Sequence, residues 1–296
     1  MKGLSGILRL IWNHPLTRNH RARALLRFLR WQLRVRTFPY PFIYPFVENS
    51  RYIVKKGLAG ATGNVYTGLH EFEDMAFTLH LLRPGDLFGD IGANIGSYTL
   101  LASAVAGAQS LSVEPIPAAA AYLRGNIAIN DIQMLAECHL CAAGRENGTL
   151  LVTTHIDSAN HVVTAADEGS PQLEVQVLTL DGLFVGRVPL LIKLDVEGFE
   201  LEVLQGAGKL LQSPALRALI VELNGNCHRY ATSEQDIDLY LVSYGFRPYR
   251  YEPFQRKLTG LQQVGLTGNT IYVRDPDWIR DRLETARKFT VLNQTF

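Results

Sequence analysis

The first 47 residues contain no aspartate and no glutamate, yet they carry Lys2, Arg9, Arg18, Arg21, Arg23, Arg27, Arg30, Arg34 and Arg36. Of 29 basic residues, twenty then remain against 28 acidic ones. A basic arm, residues 1–47, thus sits on a body of about −8 in a chain whose net charge is +1. That balance excludes polyanion binding by bulk charge, and no aromatic–basic platform occurs outside the arm, so nucleic acid is not an expected partner.

Cysteine is scarce. Cys138, Cys141 and Cys227 cannot make a disulfide framework for 296 residues. The "CHLC" at 138–141 has the form of half a metal knuckle. A second ligand pair at suitable spacing is missing, Cys227-His228 being the sole supplement, so zinc is not expected. No run of about 18 apolar residues exists, so no transmembrane helix is expected. "LSGILRLIW" is broken by Arg9 and no small-residue cleavage site follows, so a secretory leader is not expected either. The expected compartment is the cytoplasm, with a peripheral position at the inner membrane face as the alternative that the arm raises. There is no internal repeat and no low-complexity tract.

The arm itself reads as a basic helix with an apolar side over Ala22–Arg34, halted by the three prolines of "FPYPFIYPF". It serves either as a cap on the main domain or as a membrane-surface or partner helix. From residue 48 to 296 short apolar strands alternate with helices. Strands are expected at 51–56, 86–91, 111–114, 137–141, 191–194, 218–223, 247–251 and 270–273, with an extra pair at 150–153 and 173–178. Helices are expected at 70–82, 96–105, 118–129, 199–211, 234–244 and 277–289. This alternation predicts an α/β fold with a mostly parallel, seven-stranded central sheet covered on both faces.

In such sheets ligands bind beyond the carboxyl ends of the strands. The first strand of the series ends in Asp90, followed by Gly92, Ala93, Asn94 and Gly96. The second ends in Glu114-Pro115, the third in Cys141-Ala142-Ala143, the fourth in Asp195-Val196-Glu197-Gly198, and the fifth in Glu222-Leu223-Asn224. Carboxylates converge on one rim. A dinucleotide fingerprint would need glycine where Asn94 stands, and an acid beside the loop repels phosphate. Glu114, 22 residues after Gly92, is placed to grip the two hydroxyls of a ribose. A ligand with a ribose, a positive centre and no essential phosphate is implied, and S-adenosylmethionine has all three. Its adenine is expected beside Ala142, and Glu71, from the helix before the first strand, is expected over it.

These residues resemble class I S-adenosylmethionine-dependent methyltransferases, and the FkbM family in particular. The matching text is "GDIGANIGSYTL" (89–100), "VEP" (113–115), "CAAG" (141–144), "TLDGL" (179–183), "LIKLDVEGFELEVLQGA" (191–207) and "LIVELN" (219–224). Gly89 departs from the family's usual apolar residue. The resemblance implies a Rossmann-like fold and O-methylation of a hydroxyl on a sugar, glycolipid or other small natural product. An alcohol is a poor nucleophile, so a base or a metal is expected to help. Asp195 and Glu197 are the candidates for that role, with Lys193 as an ion-pair partner. Asp195, Glu222 and Asn224 resemble the magnesium ligands of catechol-type enzymes, but nothing else in the sequence demands a divalent metal. His161, and His155 in the same polar insertion, are weaker candidate bases, and Asp181 is a candidate helix cap. Two other readings stand beside this one: an NAD(P)-linked oxidoreductase, and a non-catalytic membrane-surface protein working through the arm. The oligomeric state is not fixed by the sequence.

Overall fold

A computed structural model describes residues 4–38, 40–154, 159–264 and 268–296. The chain opens with helices α1 (Leu4–Asn13) and α2 (Arg21–Thr37), then a small antiparallel pair, β1 (Phe42–Pro45) and β2 (Arg51–Val54). Helices α3 (Ala59–Thr67) and α4 (Phe72–Leu81) lead into β3 (Leu87–Ile91). A short α5 (Ser97–Thr99) runs on as a π-helical turn, Leu100–Val105. There follow β4 (Gln109–Val113), α6 (Pro117–Ile129), which has proline in its first turn as helix starts favour, and β5 (Ala136–His139). A three-stranded side sheet comes from β6 (Ala142–Ala143), β7 (Gly148–Thr153) and β8 (Gln172–Leu178). The chain continues through α7 (Leu180–Leu183), β9 (Leu191–Leu194), α8 (Glu200–Gln205), α9 (Gly208–Gln212) and β10 (Ala218–Glu222). It closes with α10 (Glu234–Ser243), β11 (Arg247–Glu252), β12 (Lys257–Gly260), β13 (Asn269–Val273), α11 (Pro276–Glu284) and a terminal pair, β14 (Thr290–Val291) and β15 (Gln294–Thr295).

The central sheet has the order β12-β11-β13-β10-β9-β3-β4-β5. β5, β4, β3, β9 and β10 pair in parallel, while β13 runs against both β10 and β11. The expected seven strands are present and an eighth extends the edge: β12, a polar hairpin partner of β11 with one buried residue. Its lack of an apolar run hid it from the pattern. Alternate residues of the central strands feed two cores. On β10, Ala218 and Ile220 pack with Phe77, Phe88 and Leu101, and Leu219 and Val221 pack with Leu111, Leu194 and Val203.

Helices α1 and α3 were not expected, the helix expected over 96–105 is α only at Ser97–Thr99, and two more expected helices differ in extent. The helix expected over 199–211 is broken at Gly206-Ala207, and Asp181 accepts hydrogen bonds from the Lys209 and Leu210 amides (2.9 and 3.0 Å) to cap the second piece. The closing helix stops at Glu284, because Phe289 and Phe296 turn inward on the β14–β15 pair and are buried.

The arm packs on the body. Ala24, Phe28, Trp31 and Val35 form one inward row of α2, in a cluster with Tyr52, Val65, Tyr66, Ala93, Ile95 and Leu123. Arg27 Nε donates to the Tyr66 carbonyl at 3.1 Å and Gln32 Nε2 to the Tyr66 hydroxyl at 2.7 Å. Trp31 is 4 % exposed, so Trp31→Ala is expected to destabilise the full chain by about 3–5 kcal/mol in denaturant unfolding. A cost below about 1 kcal/mol would mean that α2 is not part of the cooperative fold.

Candidate active site

A cleft of about 320 Å³ opens over the carboxyl ends of β3, β4 and β9, a volume in the range of small-molecule sites. Asp90, Gly92, Ala93, Asn94, Glu114, Ala142, Glu71, Lys193, Asp195 and Glu197 all line it. Gly96 does not; it stands behind the loop, where a Cβ would lie 2.3 Å from the Leu123 side chain.

The glycine loop is shaped by the protein's own backbone. Gly92 has φ +82°, and a Cβ there would lie 1.8 Å from the Asp195 carbonyl oxygen. The close approach that its glycine permits is therefore to β9's turn rather than to a ligand. The Gly92 and Ala93 amides donate to the Val113 carbonyl (2.9 and 3.0 Å), the Gly96 amide to Ala93, and the Asn94 amide to Glu114 Oε2 at 2.8 Å. These N–H groups are spent, so the loop is a poor phosphate cradle.

Glu114 is 6 % exposed. Its second oxygen accepts from the Ile116 amide at 2.8 Å, so the carboxylate is fixed at both ends. Burial pushes it up to about 7 despite those hydrogen bonds. Asp90 is raised to about 6 by burial, while Thr99 donates to its Oδ2 through both backbone and hydroxyl (2.9 and 2.6 Å). It ties β3 to the helical turn as well as lining the cleft.

Lys193 lies on β9 between β3 and β10, in register with Asp90 and Ile220, and is 1 % exposed. Its Nζ donates to Asp195 Oδ2 at 2.9 Å and lies 5.5 Å from the centre of the Tyr98 ring. Burial would discharge it, but Asp195, Glu71 and Glu222 outweigh that and hold its pKa raised. Burial likewise pushes Asp195 up, and the ammonium overrides it, keeping that carboxylate below its ordinary value. Glu222 is pushed far up by burial and by the Asp195 charge beside it. Glu197, at φ +55°, accepts from Asn226 Nδ2 at 2.7 Å and is raised to about 7 by burial and then by Asp195. Glu71 accepts from the Tyr98 hydroxyl at 2.7 Å.

Carboxylate oxygens of Asp195, Glu197 and Glu222 lie within 4.8 Å of one another. Asn224 stands beside this cluster, donating to Glu222 at 2.8 Å and accepting from the Asn226 amide. Lys193 already brings a positive charge to this cluster. His161 reaches the cleft from the insertion, with Nδ1 at 3.0 Å from the Ala159 carbonyl and Nε2 at 3.1 Å from Asp167. Both nitrogens are engaged. His155 lies outside the described residues. Cys138 and Cys141 join no metal-ligand cluster among the described residues, whereas Cys227, His228 and Glu234 have ligand atoms within 4.8 Å of one another. Burial and Glu234 raise the Cys227 thiol to about 11, so it keeps its proton. Tyr98 and Phe199 are lining residues that sequence reasoning passed over, because an aromatic beside a motif reads as core.

A parallel sheet with an antiparallel strand inserted before its edge, and an acid-rimmed cleft after its first, second and fourth parallel strands, define the class I methyltransferase architecture. Residues 90–248, more than half of the chain, match the model of the methyltransferase FkbM domain, and the chain belongs to that family. It is 29% identical over 150 residues to Methyltransferase 1 of Beauveria bassiana (strain ARSEF 2860), covering 42% of this chain and 59% of that one. The chain thus spans less than two thirds of that relative's length. Among solved structures, precorrin-6y C5,15-methyltransferase from Geobacter metallireducens GS-15 aligns with TM-score 0.42 and 12% identity over 75% of this chain and 93% of that one. A TehB-like methyltransferase from Corynebacterium glutamicum aligns with TM-score 0.41 and 10% identity over 86% and 99%.

The buried acids make stability depend on pH. Asp90, Glu114, Glu197 and Glu200 have folded pKa values raised to about 6 or 7. The folded state therefore holds more protons than the unfolded one above about pH 4.5, and stability falls as pH rises through the folded values. His14 and His80, lowered to about 4 and about 3 by burial, oppose this below their ordinary 6.5. The cofactor-free protein is expected to lose melting temperature between about pH 5 and 7.5, less steeply in Glu114→Gln. A flat or rising profile would mean these carboxyls are not desolvated.

Proposed function

We propose that this chain is an S-adenosylmethionine-dependent O-methyltransferase whose acceptor is a hydroxyl of a sugar, glycolipid or other small natural product. The observation that carries the reading is the Glu114 carboxylate, pinned by the Asn94 and Ile116 amides on the lining of the cleft that also holds Asp195 and Glu197. The residues fit the cofactor: a desolvated carboxylate suits a ribose diol, and Asp90 and Glu71 supply negative charge without a phosphate site. When bound, S-adenosylmethionine supplies an electrophilic methyl group.

The chain's own groups then do three things. Glu114 binds the two ribose hydroxyls, and Ala142 and Ala143 leave room for a flat ring. Lys193 holds Asp195 ionised and fixed, so Asp195 orients the acceptor hydroxyl. Glu197, raised to about 7, accepts the hydroxyl proton as the oxygen is methylated. A base with a pKa near the working pH is the most effective kind. Asp195 is held too low and Glu222 too high to share that task. The dinucleotide reading has no support in a loop whose amides are already spent.

Titration calorimetry checks the cofactor. Glu114→Gln should weaken S-adenosylmethionine by roughly 30- to 150-fold, the loss of about 2–3 kcal/mol from charge-assisted hydrogen bonds. Unchanged affinity would sink the assignment. Methyl incorporation from labelled cofactor into a panel of hydroxylated acceptors checks the base. Glu197→Gln should keep cofactor affinity and lose roughly 10²- to 10⁴-fold in turnover. The wild-type rate should climb with pH through about 7, the value at which Glu197 becomes a carboxylate. A pH-independent rate would remove Glu197 from the role.

A further inference from the structure

The arm's helix α2 is apolar on two sides. Its inward row, Ala24, Phe28, Trp31 and Val35, is buried in the body. Its outward row is Leu26, Leu29 and Leu33, exposed by 47%, 60% and 69%. Leu4, Leu8 and Trp12 of α1, and Phe38, Tyr40 and Ile43 beyond α2, are exposed as well. Of the fifteen large apolar side chains exposed among the described residues, nine fall between residues 4 and 43. Such concentration on one segment marks a contact surface, since scattered single residues would be ordinary.

The charge around these residues chooses the partner. Arg9, Arg21, Arg23, Arg30, Arg34 and Arg36 are exposed on the same segment, and no acid occurs before Glu48. Two copies meeting through this face would bring like charges together. Nucleic acid would satisfy the arginines but not the leucines. An anionic lipid surface satisfies both: headgroups meet the guanidinium groups, and the leucines and aromatics enter the acyl boundary. Arg21 and Arg34 already lie over aromatic faces, 4.6 Å from Trp12 and 3.8 Å from Phe42, which holds charge and apolar surface side by side. No described helix is long and apolar enough to cross a membrane, so the contact is with a surface.

We propose that the outward face of α1, α2 and the segment to Ile43 docks this protein on anionic membranes. The face is rigidly tied to the cleft. Helix α2 sits on α3 through the Arg27 and Gln32 hydrogen bonds to Tyr66, and Asn64 of α3 lines the cleft and donates to Ser97 Oγ at 3.2 Å. Docking therefore sets the cleft one helix layer from the lipid. This concerns the surface and stands whether or not the methyl-transfer reading holds.

The test is co-sedimentation of the full chain with vesicles of phosphatidylcholine alone or mixed with phosphatidylglycerol, at low and high salt, with no cofactor present. Binding is expected with the anionic vesicles only and should fall with salt. It should drop at least about tenfold in Leu26→Ser/Leu29→Ser/Leu33→Ser, because each leucine would leave the acyl boundary. Arg23→Gln/Arg30→Gln should weaken it by a similar factor. S-adenosylmethionine titration of the same variants is read separately, so a failed membrane proposal and a failed cofactor assignment are told apart. No binding to anionic vesicles, equal binding to neutral ones, or anionic binding indifferent to the leucines would each overturn the proposal. The last result would point to a polyanion, and self-association of the wild type abolished in the leucine variant without vesicle binding would point to a second copy.

Discussion

A lysine ammonium in the middle of a five-strand parallel sheet sets the terms for everything at the sheet's carboxyl edge. Lys193 is 1 % exposed, and an uncompensated charge there would cost several kcal/mol. Compensation comes from Asp195 two residues on, from Asp90 at the neighbouring register position, and from the field of Glu71 and Glu222. To keep Asp195 beside the lysine, the chain leaves β9 so that the Asp195 amide donates to Ile91 and its carbonyl closes on residue 92. That residue must be glycine. The geometry of the loop after β3 is thus a consequence of how β9 stores a charge.

The same charge separates the acids into roles. Asp90, Glu114, Asp195, Glu197 and Glu222 crowd one rim, and burial pushes each of them toward protonation. Lys193 keeps Asp195 ionised, while burial, and then the Asp195 charge, raises both Glu222 and Glu197. Neighbouring groups pushed apart in this way can supply one pocket with groups of different protonation near neutral pH, which is what the proposed assignment of Asp195 and Glu197 uses. Glu197 also carries a left-handed φ of +55°, a conformation a non-glycine residue adopts at a cost where the surroundings hold it in place. Its Asn226 hydrogen bond and the Arg229 guanidinium donating to its carbonyl at 3.1 Å do that holding.

The parallel strands were legible because each is a short run between helical segments, mostly apolar in "LIKL" and "ALIV", with the polar exceptions such as Lys193 and Asp90 at or near the carboxyl ends. The rim was legible because acids at strand ends have no packing reason to be there. What escaped the sequence is whatever long-range contact decides. Nothing local distinguishes a glycine facing a ligand from one facing a backbone carbonyl 103 positions away in sequence. Glu197 joins Asp195 and Glu222 through the turn after β9, and Asn224 stays beside them by its hydrogen bond to Glu222. β12 is polar, and only its pairing with β11 makes it a strand. Gly206, between α8 and α9, would read as a tolerable helix glycine, yet a Cβ there would lie 2.1 Å from the Gly144 carbonyl.

The arm shows why a periodicity argument can be right about an element and undecided about its purpose. In α2 apolar residues occupy both the 24/28/31/35 row and the 26/29/33 row, so the pattern is compatible with a cap and with a surface helix alike. The structure uses the first row as a cap and leaves the second to solvent. A helix needing only to cap the body gains nothing from the outward leucines, which raise the cost of exposing it to water. Arginines flanking them keep such a face soluble and also favour anions, so both features fit the proposed docking surface, wet in solution and dry on a membrane. Because the inward row belongs to the same packed cluster as Ala93 and Ile95 of the glycine loop, the helix proposed to dock is continuous, through packed side chains, with the lining of the cleft.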